Sequence, residues 1–216
     1  MSCNFTTLYI LLDPDWEELA HPLATFKTFT QLFFQHPARL TLTTLKITSQ
    51  EMIVTNIRHA PDAYSALEPL FACPALQDIN IKLRLVDKLD DSWLKGAAAS
   101  WPALRRLNIK TLHSTISEMT LAGFIPVLRN CPDLHSLGFS IHATPVDPNL
   151  LRGVGNILVK KISVGSSTIQ SPARVVRSLI GMFPSLWDVT PRGAEGPGWS
   201  KVQKLLQLMG PEESWT

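Results

Sequence analysis

Cysteine is scarce. The chain holds three in 216 residues (Cys3, Cys73 and Cys131), an odd number with no Cys-x-x-Cys pair. That excludes a disulfide framework and fits a reducing, intracellular setting, cytoplasmic or nuclear. Net charge is also small. Twenty Lys and Arg against eighteen Asp and Glu leave +2, which makes no electrostatic case for nucleic acid or for a membrane surface. Long apolar runs are missing. The first apolar stretch, Phe5 to Leu12, spans eight residues, includes two threonines and has no basic residue before it. A signal peptide needs a basic start, and a membrane helix needs about 20 apolar residues. Charged residues make up 18% of the chain and hydrophobic residues 45%, the reverse of a disordered composition. A chain of this length buries about 70% of the surface it exposes when unfolded, enough for a real core.

Patterns that carry chemistry are equally thin. Six histidines are present, none in His-x-His, His-Glu-x-x-His or His-x-x-x-His spacing. His113, His135 and His142 with Cys131 come nearest to a zinc set, but ligand pairs normally sit close in sequence. Gly138-Phe139-Ser140-Ile141-His142 begins like a nucleophile elbow and lacks the second glycine that its strained turn needs. Arg152-Gly153-Val154-Gly155-Asn156 reads as a turn rather than a phosphate cradle. The acidic run Asp13, Asp15, Glu17, Glu18 reads as a helix start, where negative charge suits the dipole. No catalytic residue, metal ligand or cofactor is therefore assigned, and the expectation is a protein that is not an enzyme.

What the chain does have is repetition. Cys73-Pro74-Ala75-Leu76-Gln77-Asp78-Ile79-Asn80-Ile81, Trp101-Pro102-Ala103-Leu104-Arg105-Arg106-Leu107-Asn108-Ile109 and Cys131-Pro132-Asp133-Leu134-His135-Ser136-Leu137-Gly138-Phe139 share one pattern. A bulky apolar residue or Cys is followed by Pro and then by x-L-x-x-L-x-I. Phe183-Pro184-Ser185-Leu186-Trp187-Asp188-Val189 repeats it until Pro191 takes the last apolar position. Copies without the proline start at Phe5, Leu42 and Val159, so the first apolar residues recur at spacings of 37, 34, 28, 30, 25 and 27. The later spacings approach those of leucine-rich repeats. In L-x-I the two apolar side chains lie two residues apart, on one face of a strand. Proline ahead of the turn suits a helix-to-strand connection, because it has no N–H and disfavours helix at the residue before it.

Between the copies the period becomes helical. Ala63 to Ala72 puts Leu67, Leu70 and Phe71 on one face; Asp90 or Asp91 can cap a helix carrying Leu94, Ala97, Ala98 and Trp101. Thr120 can cap a helix carrying Leu121, Phe124, Ile125 and Leu128, and Ser171-Pro172 opens one carrying Val175, Val176, Leu179, Ile180 and Phe183. The predicted fold is α/β: a leucine-rich-repeat-like solenoid over residues 1–190, with parallel strands on one face, helices on the other and irregular repeats of 25–37 residues. Residues 191–216 read as a loop, a helix at about 199–209 and a tail. The competing reading, a doubly wound α/β domain, calls for glycine-rich strand-to-helix loops that are missing here. Leucine-rich repeats usually carry Asn or Cys three residues after L-x-L; here Arg84, Leu112 and His142 stand there, so a ladder at that position is not expected.

Three ordered segments carry a resemblance to a family: Leu89 to Leu107, with its acidic-capped helix ending in Trp101-Pro102; Thr120 to Leu134; and Val164 to Leu186. Over about residues 60–190 the chain resembles fungal F-box proteins with leucine-rich repeats. In that family an N-terminal F-box binds a Skp1-type adaptor of a ubiquitin ligase, and the repeats hold the protein to be ubiquitinated. No Leu-Pro-x-Glu segment precedes the first strand-like copy, so the resemblance covers the recognition repeats and not the F-box.

The expected function is a non-catalytic protein-protein interaction module for an unknown protein target, with no nucleic acid and no membrane. A truncated or decayed F-box-family product without a partner is the alternative, and an enzyme comes third. The candidate protein-binding residues flank the inward pairs and point to the concave strand face: Asp78, Asn80, Lys82, Arg106, Asn108, Lys110 and Lys161. Thr44, Lys46, Thr48, Ser136, Gly138, Ser140, Ser163 and Gly165 continue that outward row. Trp93 and Trp101 read as core, while Trp187, at a spacer position of its copy, can be exposed.

Overall fold

A computed structural model of the chain describes residues 6–12, 28, 30–32, 35–49, 67–82, 89–110, 118–164, 168–191 and 197–209. The acidic run at 13–18, Arg84, Leu112, His113, Gly165, Trp215 and residues 63–66 of the first expected helix lie outside them.

Among the described residues there are nine strands: β1 (Thr7–Leu12), β2 (Thr44–Ser49), β3 (Asp78–Lys82), β4 (Arg106–Lys110), β5 (Ser136–Phe139), β6 (His142–Ala143), β7 (Lys161–Val164), β8 (Thr168–Ile169) and β9 (Asp188–Pro191). Seven form one all-parallel sheet in the order β1-β2-β3-β4-β5-β7-β9, which is also their order along the chain; β6 and β8 pair separately. The fold is α/β, as expected. Register aligns Leu45, Ile79, Leu107, Leu137, Ile162 and Val189 across six strands. All six are buried, and they share one hydrophobic cluster with the buried faces of the helices. The alternate residues point the other way, onto a face where Lys46, Arg106, Lys161 and Thr190 are exposed.

Helix α1 (Asp91–Ser100) starts where the Asp90 carboxylate accepts from the Trp93 N–H at 2.9 Å, and it buries Trp93, Leu94, Ala97 and Ala98. Helix α3 (Pro172–Met182) opens on proline at its first position, after Ser171. Helix α2 (Phe124–Asn130) corrects the expected start at Thr120. A helix begun there would place Pro126 in its interior, where the ring strikes the preceding turn. Starting at Phe124 puts Pro126 in the first turn. Thr120 instead donates its N–H and hydroxyl to the Asp91 carboxylate, at 2.7 and 2.6 Å, tying that segment to α1. Pro69 acts similarly in the first expected helix, whose described part is a 3-10 helix, Glu68–Ala72.

The four proline-bearing copies close the same turn. Cys73, Trp101, Cys131 and Phe183 end their helices in non-helical conformations, with ψ of 66–79°. The leucine three residues on donates its N–H back to each of them: Leu76 to Cys73, Leu104 to Trp101, Leu134 to Cys131 and Leu186 to Phe183. Side chains stitch successive turns together. Trp101 Nε1 donates to the Leu70 carbonyl at 3.2 Å, and Cys131 Sγ to the Trp101 carbonyl at 3.3 Å. In the Val159 copy, which lacks the proline, the buried Asn156 supplies the turn. Its Oδ1 accepts from Leu158 N and Val159 N, and its Nδ2 donates to the Leu134 carbonyl at 2.8 Å.

Aromatic packing fills the middle of the core. Phe71, Trp93 and Trp101 stand with ring centroids 5.5–5.8 Å apart. At the far end, α4 (Pro197–Met209) packs on α3 and β9. Its Gln203 amide accepts from Val189 N at 2.7 Å and donates to the Trp187 carbonyl at 3.1 Å, covering polar backbone on the outer edge of β9. Among the described residues no helix is long and apolar enough to cross a membrane.

Candidate functional site

The open face of the sheet places the candidate residues in rows across the strands. Asp78 lies opposite Arg106, Asn80 opposite Asn108, and Lys82 opposite Lys110. The side chain of Lys110 lies outside the described residues. These six positions therefore share two adjacent strands. Lys161 does not join them: β5 intervenes, and two strand spacings amount to about 10 Å.

Within the first row the charges are paired. Arg106 donates from Nε and Nη2 to the two carboxylate oxygens of Asp78, at 2.5 and 2.8 Å, a fork that both groups' planar geometry suits. Those hydrogen bonds hold the Asp78 carboxyl below the usual carboxylate range and raise the Arg106 guanidinium. Arg106 remains 55% exposed, while Asp78 is 26% exposed. The residue best suited to grip a partner's carboxylate thus already holds one, with its other guanidinium nitrogen left over. Lys161 sits 3.6 Å from the Asp188 carboxylate and 4.1 Å over the Trp187 ring, and Lys46 lies over Tyr9 at 5.6 Å.

The middle row runs Tyr9, Lys46, Asn80, Asn108, Gly138, Ser163 and Thr190 in register. Gly138 is buried although it belongs to the open face, because the Asn108 carboxamide lies directly over it. A Cβ at position 138 would collide with Asn108 Oδ1. Ser140, expected on the outward row, is buried as well, beyond the end of β5. A shallow depression of about 150 Å³ opens beside Tyr9, Lys46, Asp78, Asn80, Arg106 and Asn108. The Asn80 Oδ1 atom is buried and accepts no hydrogen bond among the described residues.

Elsewhere, the two described cysteines, Cys73 and Cys131, are withdrawn from solvent. Burial pushes the Cys73 thiol up to about 12 and the Cys131 thiol to about 11, so both are protonated at neutral pH. Among the described residues no cluster of three His, Cys, Asp or Glu could hold a metal ion. Trp93 and Trp101 are fully buried, and Trp187 is 41% exposed beside Lys161. Cross-strand partners escaped the sequence reading because they depend on register between residues 28 apart. The outward alternation itself was the signal that located their strands.

No protein-family model matches the chain, and no curated protein matches it.

Proposed function

We propose that the chain is a non-catalytic protein-binding module, a leucine-rich-repeat-like solenoid whose open, concave strand face docks an acidic segment of another protein. The observation that carries the reading is the seven-stranded parallel sheet whose strands follow chain order, with one face packed on helices and the other, among the described residues, left to solvent. Charge supports the choice of partner. On the described open face Lys46, Lys82, Arg106 and Lys161 stand against Asp78 and Asp188, four positive charges to two negative. Both carboxylates are already engaged by neighbours. By resemblance to the repeats of F-box proteins, the docked protein would be a ubiquitination target. Attachment to a ligase through a Skp1-type adaptor belongs to the same proposal and rests on that resemblance alone.

The test compares proteins captured from native cells by the wild-type chain and by a Lys82→Glu, Arg106→Glu variant that melts at the same temperature. The reading expects an acidic binder that the variant loses and that the wild type releases as salt rises. Identical captured sets would remove the open face as the docking site.

A further inference from the structure

A second concavity lies away from the strand face. Helix α3 forms one wall through Arg174, Arg177, Ser178 and Gly181, which fall on one stripe at helical spacing. The segment from Pro145 to Arg152, including the 3-10 helix Pro148–Leu151, forms the other wall. The cleft encloses about 730 Å³, within the range of about 300–1,000 Å³ common for small-molecule sites. Its lining is mostly apolar, with Val146, Pro148 and Leu151 contributing, and three guanidiniums, Arg152, Arg174 and Arg177, stand around it.

The walls are fixed to each other. The buried Ser178 hydroxyl accepts from Val146 N at 2.9 Å and donates to the Arg174 carbonyl at 3.3 Å. The one carboxylate in the lining, Asp147, is occupied in accepting from Asn149 N at 2.9 Å. Among the described residues none of the three arginines is in an ion pair. The opposite face of α3 is core, with Val175, Val176, Leu179 and Met182 buried. The arginines therefore lie off that core, and they concentrate positive charge around an apolar hollow.

We infer that this cleft binds a small amphipathic organic anion. The apolar body would lie against Val146, Pro148 and Leu151, and a carboxylate, sulfonate or phosphate head would be held by the guanidiniums of Arg174, Arg177 and Arg152. Guanidinium forks suit planar or multi-oxygen anions, and an apolar surround strengthens each contact. This is separate from the strand face and does not depend on that face binding protein.

The probe is 8-anilinonaphthalene-1-sulfonate, followed by fluorescence titration of the full chain. Its partner probe, N-phenyl-1-naphthylamine, has nearly the same apolar body and no charge. The inference expects one saturable sulfonate site, about tenfold or more tighter than for the neutral amine. Arg174→Ala with Arg177→Ala should weaken the sulfonate by about tenfold or more. Both side chains are exposed, so this variant should keep its near-ultraviolet circular dichroism. Lys46→Ala with Lys82→Ala, on the strand face, should leave binding unchanged. The absence of a saturable site, equal affinity for both probes, or an equal loss in the two double variants would overturn it.

Discussion

On β3 and β4, Ile79 and Leu107 pack against the helices, while Asp78 and Arg106, one residue earlier on each strand, face solvent and hold each other. The two rows share backbone, register and neighbours. They differ in what fixes them. The inward row is set by a property each residue carries alone, its apolar side chain, repeated at the right spacing. The outward row is set by who stands opposite, which only the register decides. Stability should therefore concentrate on one face and recognition on the other.

Leu107→Ala should sharpen that contrast most. Leu107 is 0% exposed on a central strand, and truncating such a residue costs about 2–5 kcal/mol. Its neighbour Arg106, changed to Ala, should cost less than about 1 kcal/mol, because the pair it leaves is on the surface. Urea denaturation of both variants measures the difference. Similar losses would mean that the two faces are not distinct.

Asn156→Ala should come next, at about 2–3 kcal/mol, because two N–H groups and a carbonyl lose their partner in a buried turn. A loss below about 0.5 kcal/mol, the usual surface range, would show that the turn closes without it.

These two sites also mark how far the sequence could be read. The inward leucines, the proline turns, the Asp90 cap and the start of α3 all depend on residues within a few positions of one another, and local pattern suffices to find them. Asn156 looked like part of a glycine turn, since its acceptor at Leu134 is 22 residues away. Thr120 looked like a cap, since nothing local reveals that Asp91 takes both its donors. The ladder expected to be missing from the usual position has a counterpart elsewhere, in Trp101, Cys131 and Asn156 bonding to the turn before each. The partners on the open face, including Asn108 over Gly138, became visible only once the strands were aligned.

The smallest expected effect concerns the Asp78–Arg106 pair. Asp78 is held below its ordinary value of 3.8, so the pair's contribution is complete above that pH and is lost as pH falls through the lowered folded value. Asp78→Asn should cost about 0.2–1 kcal/mol at neutral pH, a range suited to an exposed pair. The gap from wild type should close toward zero at strongly acid pH. Denaturation at pH 7 and pH 2 checks this, and a gap independent of pH would mean that the carboxylate is not held.

Both rows require neighbouring strands to run parallel in the observed register, and disulfide trapping tests that requirement most directly. In a Cys3→Ser background, with Cys73 and Cys131 buried, two double variants compare β2 with β3. Thr48→Cys with Lys82→Cys joins register partners, at about the 4.8 Å strand spacing and within disulfide reach. Thr44→Cys with Lys82→Cys joins positions four residues out of register, about 13 Å apart along the strand. The account predicts rapid cross-linking of the first pair under mild oxidant and none of the second. Cross-linking of Thr44→Cys with Lys82→Cys, and not of Thr48→Cys with Lys82→Cys, would mean antiparallel strands and would contradict both faces at once.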